Sequence, residues 1–155
     1  MSHTGRCAVH REAGKKCVRK ADHIFLDRID LHIDILPLSF EEMSKTTVSE
    51  SSAEIRERVV KARQIQEERY RAYPLVHCNA QMTSALMRQF CVLDDKALKV
   101  LKNAMQKLDL SARAYDRILK VSRTIADYEG VENITSTHIA EAISYRNLDR
   151  TNWVN

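Results

Sequence analysis

Residues 110–130, LSARAYDRILKVSRTIADYEG, constrain the fold more than any other segment of this chain. Ser111 is a residue type that caps helix N-termini, and Gly130 is the type that ends helices in a left-handed conformation. Between them, apolar side chains recur at spacings of three and four residues, as in an α-helix with one buried face. The segment therefore predicts a long amphipathic helix whose first turn carries an exposed arginine, Arg113.

Other segments carry the same helical signals. Glu54 completes a capping box, Pro74 disfavours helix beyond the preceding residue, and residues 79–90 have apolar residues at spacings of four. Helix N-caps are indicated at three further positions, namely Ser51, Asp94 and Thr135. We predict a mainly α chain that folds into a small helical bundle.

The helix after Ser51 has a narrow apolar stripe and many charges. The stripe is Ile55, Val59, Ala62 and Gln66, with Ile65 beside it. The remaining positions are mostly charged, and we interpret them, Arg69 included, as a solvated face rather than a binding surface.

One segment before the helices has a different period. Apolar residues alternate with polar ones over Ile29–Ile35, which predicts a β-strand with one buried face that ends at Pro37. Asp30, His32 and Asp34 would share the other face, where a solvated surface or local ion pairs fits better than a metal site. A single strand leaves backbone groups unpaired, so we expect it to pair with a neighbouring subunit, with a domain outside this sequence, or not at all.

The net charge of +4 is concentrated at the N-terminus. Residues 1–23 carry six Lys or Arg and two acidic residues, whereas the other 132 residues carry 19 of each sign. The positive charge therefore marks a short tail, which binds polyanions or is only a solvated leader. No apolar run approaches the roughly 20 residues of a membrane span, and the start lacks the apolar centre of a signal peptide. We expect a cytoplasmic protein without a membrane partner.

The four cysteines are too widely spaced to indicate a disulfide framework. We expect Cys78 and Cys91 to be buried or partly buried thiols. The N-terminal tail contains a C-x2-H-x6-C-x5-H series of residue types that zinc prefers, although its spacing is irregular. These candidate ligands are Cys7, His10, Cys17 and His23, and the favoured alternative is a disordered tail without metal.

The motifs FLDRIDLHIDILP and LSARAYDRILKVSRTIADYEG resemble the C-terminal part of magnesium-chelatase-like AAA+ ATPases of the ComM and YifB group. The resemblance extends over residues 25–150 and includes IRERVVKARQIQEERY, NAQM and ITSTHIAEAISYR. It implies a helical lid domain, preceded by a strand that belongs to the nucleotide-binding core. It divides the chain into a basic tail that is disordered or foreign to the family (1–23), a strand segment of the core (24–43), a linker (44–53), the lid (54–150) and a second tail (151–155).

The same resemblance implies roles for two arginines. The arginine of FLDRID, here Arg28, is expected to act as an arginine finger toward the nucleotide of a neighbouring subunit, where a guanidinium stabilises charge on the transferring phosphate. The structural alternative is an ion pair of Arg28 with Asp27, Asp30 or Asp34.

The arginine of the S-x-R start, here Arg113, is expected to be the sensor-2 residue that reaches the phosphates of ATP bound in its own subunit. A position in the first helical turn suits this role, because free N–H groups there attract anions. The alternative is a plain surface residue, with Arg117 in a ladder with Asp116 and Lys120.

The sequence departs from the family in what it lacks. It contains no G-x-x-x-x-G-K-[ST] phosphate loop and no acidic Walker-B strand. We therefore expect no ATP hydrolysis and no cofactor in this chain alone, with ATP and Mg²⁺ as cofactors of a full-length protein.

Two function classes remain. In the first, the chain is the lid of an ATP-driven ring motor, with the rest of the core, further copies in a hexameric ring and DNA as its partners. In the second, it is a stand-alone helical module that binds protein or nucleic acid without catalysis.

Overall fold

The structure is a computed structural model, and it describes residues 28–33, 35, 37, 39, 40, 44 and 49–146. The elements within residues 49–146 are five α-helices and one short 3₁₀ turn. They are α1 (Ser52–Tyr70), the 3₁₀ turn (Asn79–Gln81), α2 (Ser84–Phe90), α3 (Asp95–Lys107), α4 (Ala112–Glu129) and α5 (Ser136–Ser144). The prediction of a mainly helical chain is confirmed.

The predicted caps begin the helices at the expected residues. Ser51 and Glu54 form the full capping box of α1, because the Glu54 amide donates to Ser51 Oγ at 3.3 Å and the Ser51 amide donates to Glu54 Oε2 at 2.8 Å. Asp94 Oδ1 accepts the Ala97 amide at 2.7 Å at the start of α3. These side chains satisfy N–H groups that have no partner within the helix.

The central helix of the bundle is α4. It packs against α1, α2, α5 and the 3₁₀ turn, and α5 also packs against α3. Because α4 contacts most of the other elements, its apolar stripe forms the middle of the core. The buried apolar side chains of the core are Tyr70, Val76, Met82, Leu86, Met87, Cys91, Ala97, Leu101, Ile118, Leu119, Ala126, Ile134, Ile139 and Ala142.

The predicted β-strand is wrong for the residues that the structure describes. Residues 28–33 run without strand structure, Ile33 and Ile35 are 69% and 88% exposed, and His32 is buried instead. A strand requires a partner strand for its backbone groups. Within the described part of the chain the one β-bridge joins Leu93 to Ile134, so the period of two had no sheet to bury its apolar face.

Two helical details also differ from the expectation. The apolar stripe of α1 is buried only in its second half, since Ala62 and Gln66 are buried whereas Ile55 and Val59 are exposed. The predicted helix over residues 79–90 is divided into the 3₁₀ turn and α2. Thr83 causes this division, because its extended backbone and its side chain, which accepts the Leu86 amide, form the N-cap of a new helix.

The expected burial of two thiols is confirmed, since Cys91 is buried and Cys78 is half-buried. None of the described helices has the length and apolar character needed to cross a membrane.

Candidate functional site

The N-terminal end of α4 has the form that the sequence predicted. Ser111 is extended and its Oγ accepts the Ala114 amide at 3.1 Å, which starts the helix. Arg113 follows in the first turn and is exposed, whereas Ala114 beside it is buried in the core. The buried face of α4 thus turns Arg113 toward the surface, next to the positive end of the helix dipole.

Beside this first turn lies a cleft of about 240 Å³, which we call the basic cleft. Three of its lining side chains are cationic and come from successive turns of α4, because residues three and four apart share one helix face. The cleft is lined by Asp30, Ala80, Arg113, Asp116, Arg117 and Lys120. Its chemistry suits an anionic group with several oxygen acceptors.

Two cations of the basic cleft have partners from outside α4. Arg117 forms an ion pair with Asp30, and the Lys120 ammonium donates to the carbonyl oxygen of Ala80 at 2.8 Å. The alternative of a ladder of Arg117 with Asp116 and Lys120 does not describe these contacts. The ion pair instead joins the FLDRID segment to the helix that carries Arg113, a contact between residues 87 positions apart that no local spacing indicates.

Backbone contacts hold the same segment against the end of α5. The Arg146 guanidinium donates to the Ile29 carbonyl at 2.9 Å, and the His32 amide donates to the Tyr145 carbonyl at 2.7 Å. These bonds lie on either side of Asp30 along the chain. They therefore fix the stretch from which Asp30 reaches Arg117.

Arg28 is exposed in a turn, two residues before Asp30. Of its three expected carboxylate partners, Asp30 pairs with Arg117, and Asp27 and Asp34 lie outside the described residues. Arg28 and Arg113 thus belong to two segments that the Asp30–Arg117 ion pair joins. Their predicted roles toward a nucleotide stay predictions.

The zinc prediction for Cys7, His10, Cys17 and His23 falls outside the residues that the structure describes. Asp30 and His32 are the described members of the other set of possible metal ligands, the predicted strand face of Asp30, His32 and Asp34. The two residues have different surroundings. Asp30 forms an ion pair with the distant Arg117 rather than a local one, and His32 is buried rather than on a solvated face.

A comparison with protein families decides the relationship of this chain. The family model of the magnesium chelatase subunit ChlI C-terminal region matches residues 49–146. The matched range is more than half of the chain, and it contains all five helices and the three cations of the basic cleft. The chain belongs to this family.

Curated members of the magnesium chelatase C-terminal family resemble the chain over most of its length. The competence protein ComM of Haemophilus influenzae is 45% identical over 127 residues, and the uncharacterized protein YifB of Escherichia coli is 42% identical over 127 residues. Each match covers 81% of this chain but 24% of the relative. The chain therefore spans about a quarter of the length of these relatives.

The family domain also contains a buried polar cluster at the other end of α4, which the sequence analysis missed. Its centre is Asp127, whose carboxylate accepts from Arg69, from Arg123 Nε at 3.1 Å and from Asn79 Nδ2 at 2.7 Å. We call these four residues the Asp127 cluster. It joins α1, the 3₁₀ turn and α4, and Arg123 extends it by donating to the Val131 carbonyl at 2.7 Å.

Arg69 was expected on a solvated face, and this expectation is wrong. Its side chain is mostly buried, and both of its terminal nitrogens donate to Asp127. Burial acts to lower the pKa of Arg69, but the hydrogen bonds and the charge of Asp127 outweigh burial and raise this pKa. Arg69 is one of many charges along α1, so only the fold identifies it as a buried partner.

Tyr70 and Cys91 pack beside the cluster in neutral form. The Tyr70 hydroxyl donates to Asn79 Oδ1 at 2.7 Å, and burial raises the pKa of Tyr70 to about 12. Burial likewise raises the pKa of the Cys91 thiol to about 11, which keeps it protonated and unreactive near neutral pH. Both groups are therefore neutral parts of the buried core near neutral pH.

A second, larger cleft of about 470 Å³ continues from the basic cleft along α4. The two share Asp30, Ala80 and Lys120. Farther along, its lining is mainly apolar and includes Leu31, Ile33, Val121, Ile125, Tyr128 and Tyr145. One face of α4 thus changes from cationic in its first turns to apolar in its later turns.

Proposed function

We propose that this chain is the lid portion of an ATP-driven ring motor, in which Arg113 contacts the phosphates of ATP bound in its own subunit. The observation that carries the proposal is the basic cleft, where Arg113, Arg117 and Lys120 line one face at the N-terminus of α4. Cationic side chains and a helix N-terminus favour the same ligand, a phosphate group. Family membership supports the proposal, because the relatives are about four times longer and have room for a nucleotide-binding core.

The test requires a nucleotide-binding core in the same polypeptide. The N-terminal three quarters of YifB can be fused to this chain, and ATP affinity and hydrolysis measured for the fusion and for Arg113→Ala. A hydrogen bond to a charged group contributes about 1.5–3 kcal/mol, so we expect ATP affinity to fall roughly tenfold to a hundredfold. Arg113→Lys keeps the charge and loses the planar guanidinium. Its ATP affinity should lie between those of the unchanged fusion and Arg113→Ala.

Arg56→Ala is the matched control. Arg56 is an exposed arginine of α1 that lines neither the basic cleft nor the larger cleft that continues from it along α4. Its removal should leave ATP affinity unchanged. If Arg113→Ala also leaves affinity and hydrolysis unchanged in an active fusion, Arg113 is not the sensor.

We further propose that Arg28 acts in trans as an arginine finger in a homo-oligomeric ring, with Mg²⁺ held by the core. Arg28→Ala in the fusion should reduce hydrolysis about a thousandfold while ATP still binds. Mixing these subunits with subunits whose phosphate-loop lysine is replaced should restore part of the activity, because some interfaces then combine an intact finger with an intact loop. Absence of recovery in mixed rings would argue against a role in trans.

DNA is the proposed substrate of the motor, as the resemblance to the ComM group implies, and one relative is named a competence protein. The test is the rate of ATP hydrolysis by the fusion with and without DNA, which we expect DNA to increase. Without the core, the chain should not hydrolyse ATP.

One observation favours the alternative of a protein-interaction module. Ile55, Val59 and Val60 are exposed together in the first half of α1, where a soluble helix usually has polar residues. This alternative predicts that the chain makes no contribution to nucleotide binding, either alone or in the fusion. The motor proposal predicts nucleotide binding that depends on Arg113.

A further inference from the structure

The basic cleft already contains an anion that belongs to the chain itself. The Asp30 carboxylate contacts the Arg117 guanidinium, and both side chains line the same cleft as Arg113 and Lys120. Asp30 is not part of α4, and it reaches the cleft from the FLDRID segment. The contact is therefore a tertiary one, which can form or break without change to the helix.

A carboxylate and a phosphate compete for the same donors. Each offers oxygen acceptors that match the two N–H groups of a guanidinium, and each is stabilised by the same positive charge. While Asp30 occupies Arg117, a phosphate that enters the cleft meets a like charge as well as an occupied arginine. Asp30 is half-exposed, at 54%, so the ion pair can open into water at small cost.

We propose that Asp30 is an internal competitor for phosphate in the basic cleft, and that a nucleoside polyphosphate releases Asp30 from Arg117 when it binds. This inference rests on the proposed function, since it assumes that the cleft binds phosphate, and it assigns to Asp30 and Arg117 the regulation of that site.

The release has a consequence for Arg28, which precedes Asp30 by two residues. In the structure described here, Asp30 on Arg117, the Ile29 carbonyl on Arg146 and the His32 amide on the Tyr145 carbonyl hold this stretch on the bundle. Loss of the Asp30 contact removes the ion pair between Asp30 and Arg117 that joins this stretch to α4. Occupation of the cleft in one subunit thereby changes the position of the arginine that is proposed to serve the neighbouring subunit.

The first experiment uses the whole chain and inorganic triphosphate, titrated by calorimetry at low ionic strength, where exposed charges are least screened. An exposed ion pair contributes up to about 1 kcal/mol, so removing the competitor in Asp30→Asn should strengthen triphosphate binding about fivefold. Asp30→Ser provides a second variant without the charge, and thermal unfolding of each variant confirms that it is folded.

Asp116→Asn is the matched control, because Asp116 is the second carboxylate that lines the same cleft and it belongs to α4. Its removal lowers the negative charge equally but leaves the Asp30–Arg117 ion pair in place. We expect an increase of less than twofold. If Asp30→Asn has no larger effect than Asp116→Asn, or if neither protein binds triphosphate, the competitor proposal is wrong.

A short single-stranded oligonucleotide distinguishes the source of the phosphate. We expect Asp30→Asn to strengthen the binding of triphosphate and ATP more than that of the oligonucleotide. Strengthening confined to the oligonucleotide would overturn the assignment of the cleft to a nucleotide.

Hydrogen exchange of the His32 amide reports release of the segment. This amide donates to Tyr145 in the structure, and saturating triphosphate should make it exchange faster in the wild-type chain. Unchanged exchange in a chain that binds triphosphate would contradict the release. Failure of the proposed function has a different signature, since Arg113→Ala would then bind ATP normally in the fusion whatever Asp30→Asn does.

Discussion

The two ends of α4 hold their charged groups in opposite ways. In the first turns, Arg113, Arg117 and Lys120 line a cleft, and Asp30, a carboxylate that reaches this cleft from outside the helix, is 54% exposed and contacts Arg117. In the last turns, the Asp127 side chain is fully buried and accepts from two arginines and an amide. One helix therefore carries an open set of charges and a closed one.

The difference separates a structural role from a ligand-binding role. Burial of a charge is costly unless all its hydrogen-bonding groups are satisfied, so the Asp127 cluster can persist only with every partner in place. Charges beside a cleft remain hydrated and can exchange one partner for another. We therefore expect substitutions at the closed end to change stability, and substitutions at the open end to change binding.

Asp127→Ala should have the largest effect on folding. It leaves the buried guanidinium of Arg123 and the mostly buried one of Arg69 without their carboxylate, which costs about 3–5 kcal/mol of unfolding free energy. Urea unfolding followed by circular dichroism measures the loss. A loss below about 1 kcal/mol would show that the closed end is no more important to stability than the open one.

Gly130→Ala tests the turn that follows the closed end. Gly130 ends α4 with φ of 71°, a left-handed conformation in which an alanine side chain is strained although no atom beyond the adjoining residues lies within 4 Å of its Cβ position. We expect a loss of about 1 kcal/mol. An unchanged midpoint of thermal unfolding would contradict the strain argument.

Alkaline pH should weaken the closed end through Tyr70. Its folded-state pKa of about 12 lies above the usual value near 10, so the neutral, buried form contributes stability below about pH 10 and loses it as the pH rises toward 12. Tyr70→Phe cannot ionise and should lose less stability over this range. Equal pH dependence of the two proteins in urea unfolding would exclude Tyr70 as the sensitive group.

Arg113→Ala should have the smallest effect on stability, less than about 0.5 kcal/mol, because the residue is exposed in the first turn of α4. Asp30→Ala should cost less than about 1 kcal/mol, as expected for an exposed ion pair. Thermal unfolding of both variants beside Asp127→Ala completes the comparison. A large loss in either would place the open end among the elements that hold the fold together.

The helices could be predicted because their signals are local. The capping box of Ser51 and Glu54, the cap at Ser111 and the left-handed stop at Gly130 each involve residues only a few positions apart, and each appears in the structure. The strand could not be judged in this way. Alternation over residues 29–35 specifies which residues share a face, but a partner strand decides whether that face is buried.

The candidate site was only partly predictable. Sequence and resemblance indicated Arg113 and Arg28, and the structure brings their segments together through Arg117 and Asp30. No pattern of neighbouring residues indicated that Arg117 and Asp30 would pair. Charge alone also gave no means to separate Arg69, which is mostly buried on Asp127, from the exposed arginines of the same helix.

By itself, the sequence determined where α1, α3, α4 and α5 begin, where α4 ends and which of its faces is buried, and membership of the magnesium chelatase C-terminal family. These properties depend on backbone capping and on the period of the helix, which act within a few residues. Only the tertiary structure decided which charges are paired. An ion pair depends on distance in space, and Asp30 meets Arg117, as Arg69 meets Asp127, although 87 and 58 positions of sequence separate the partners.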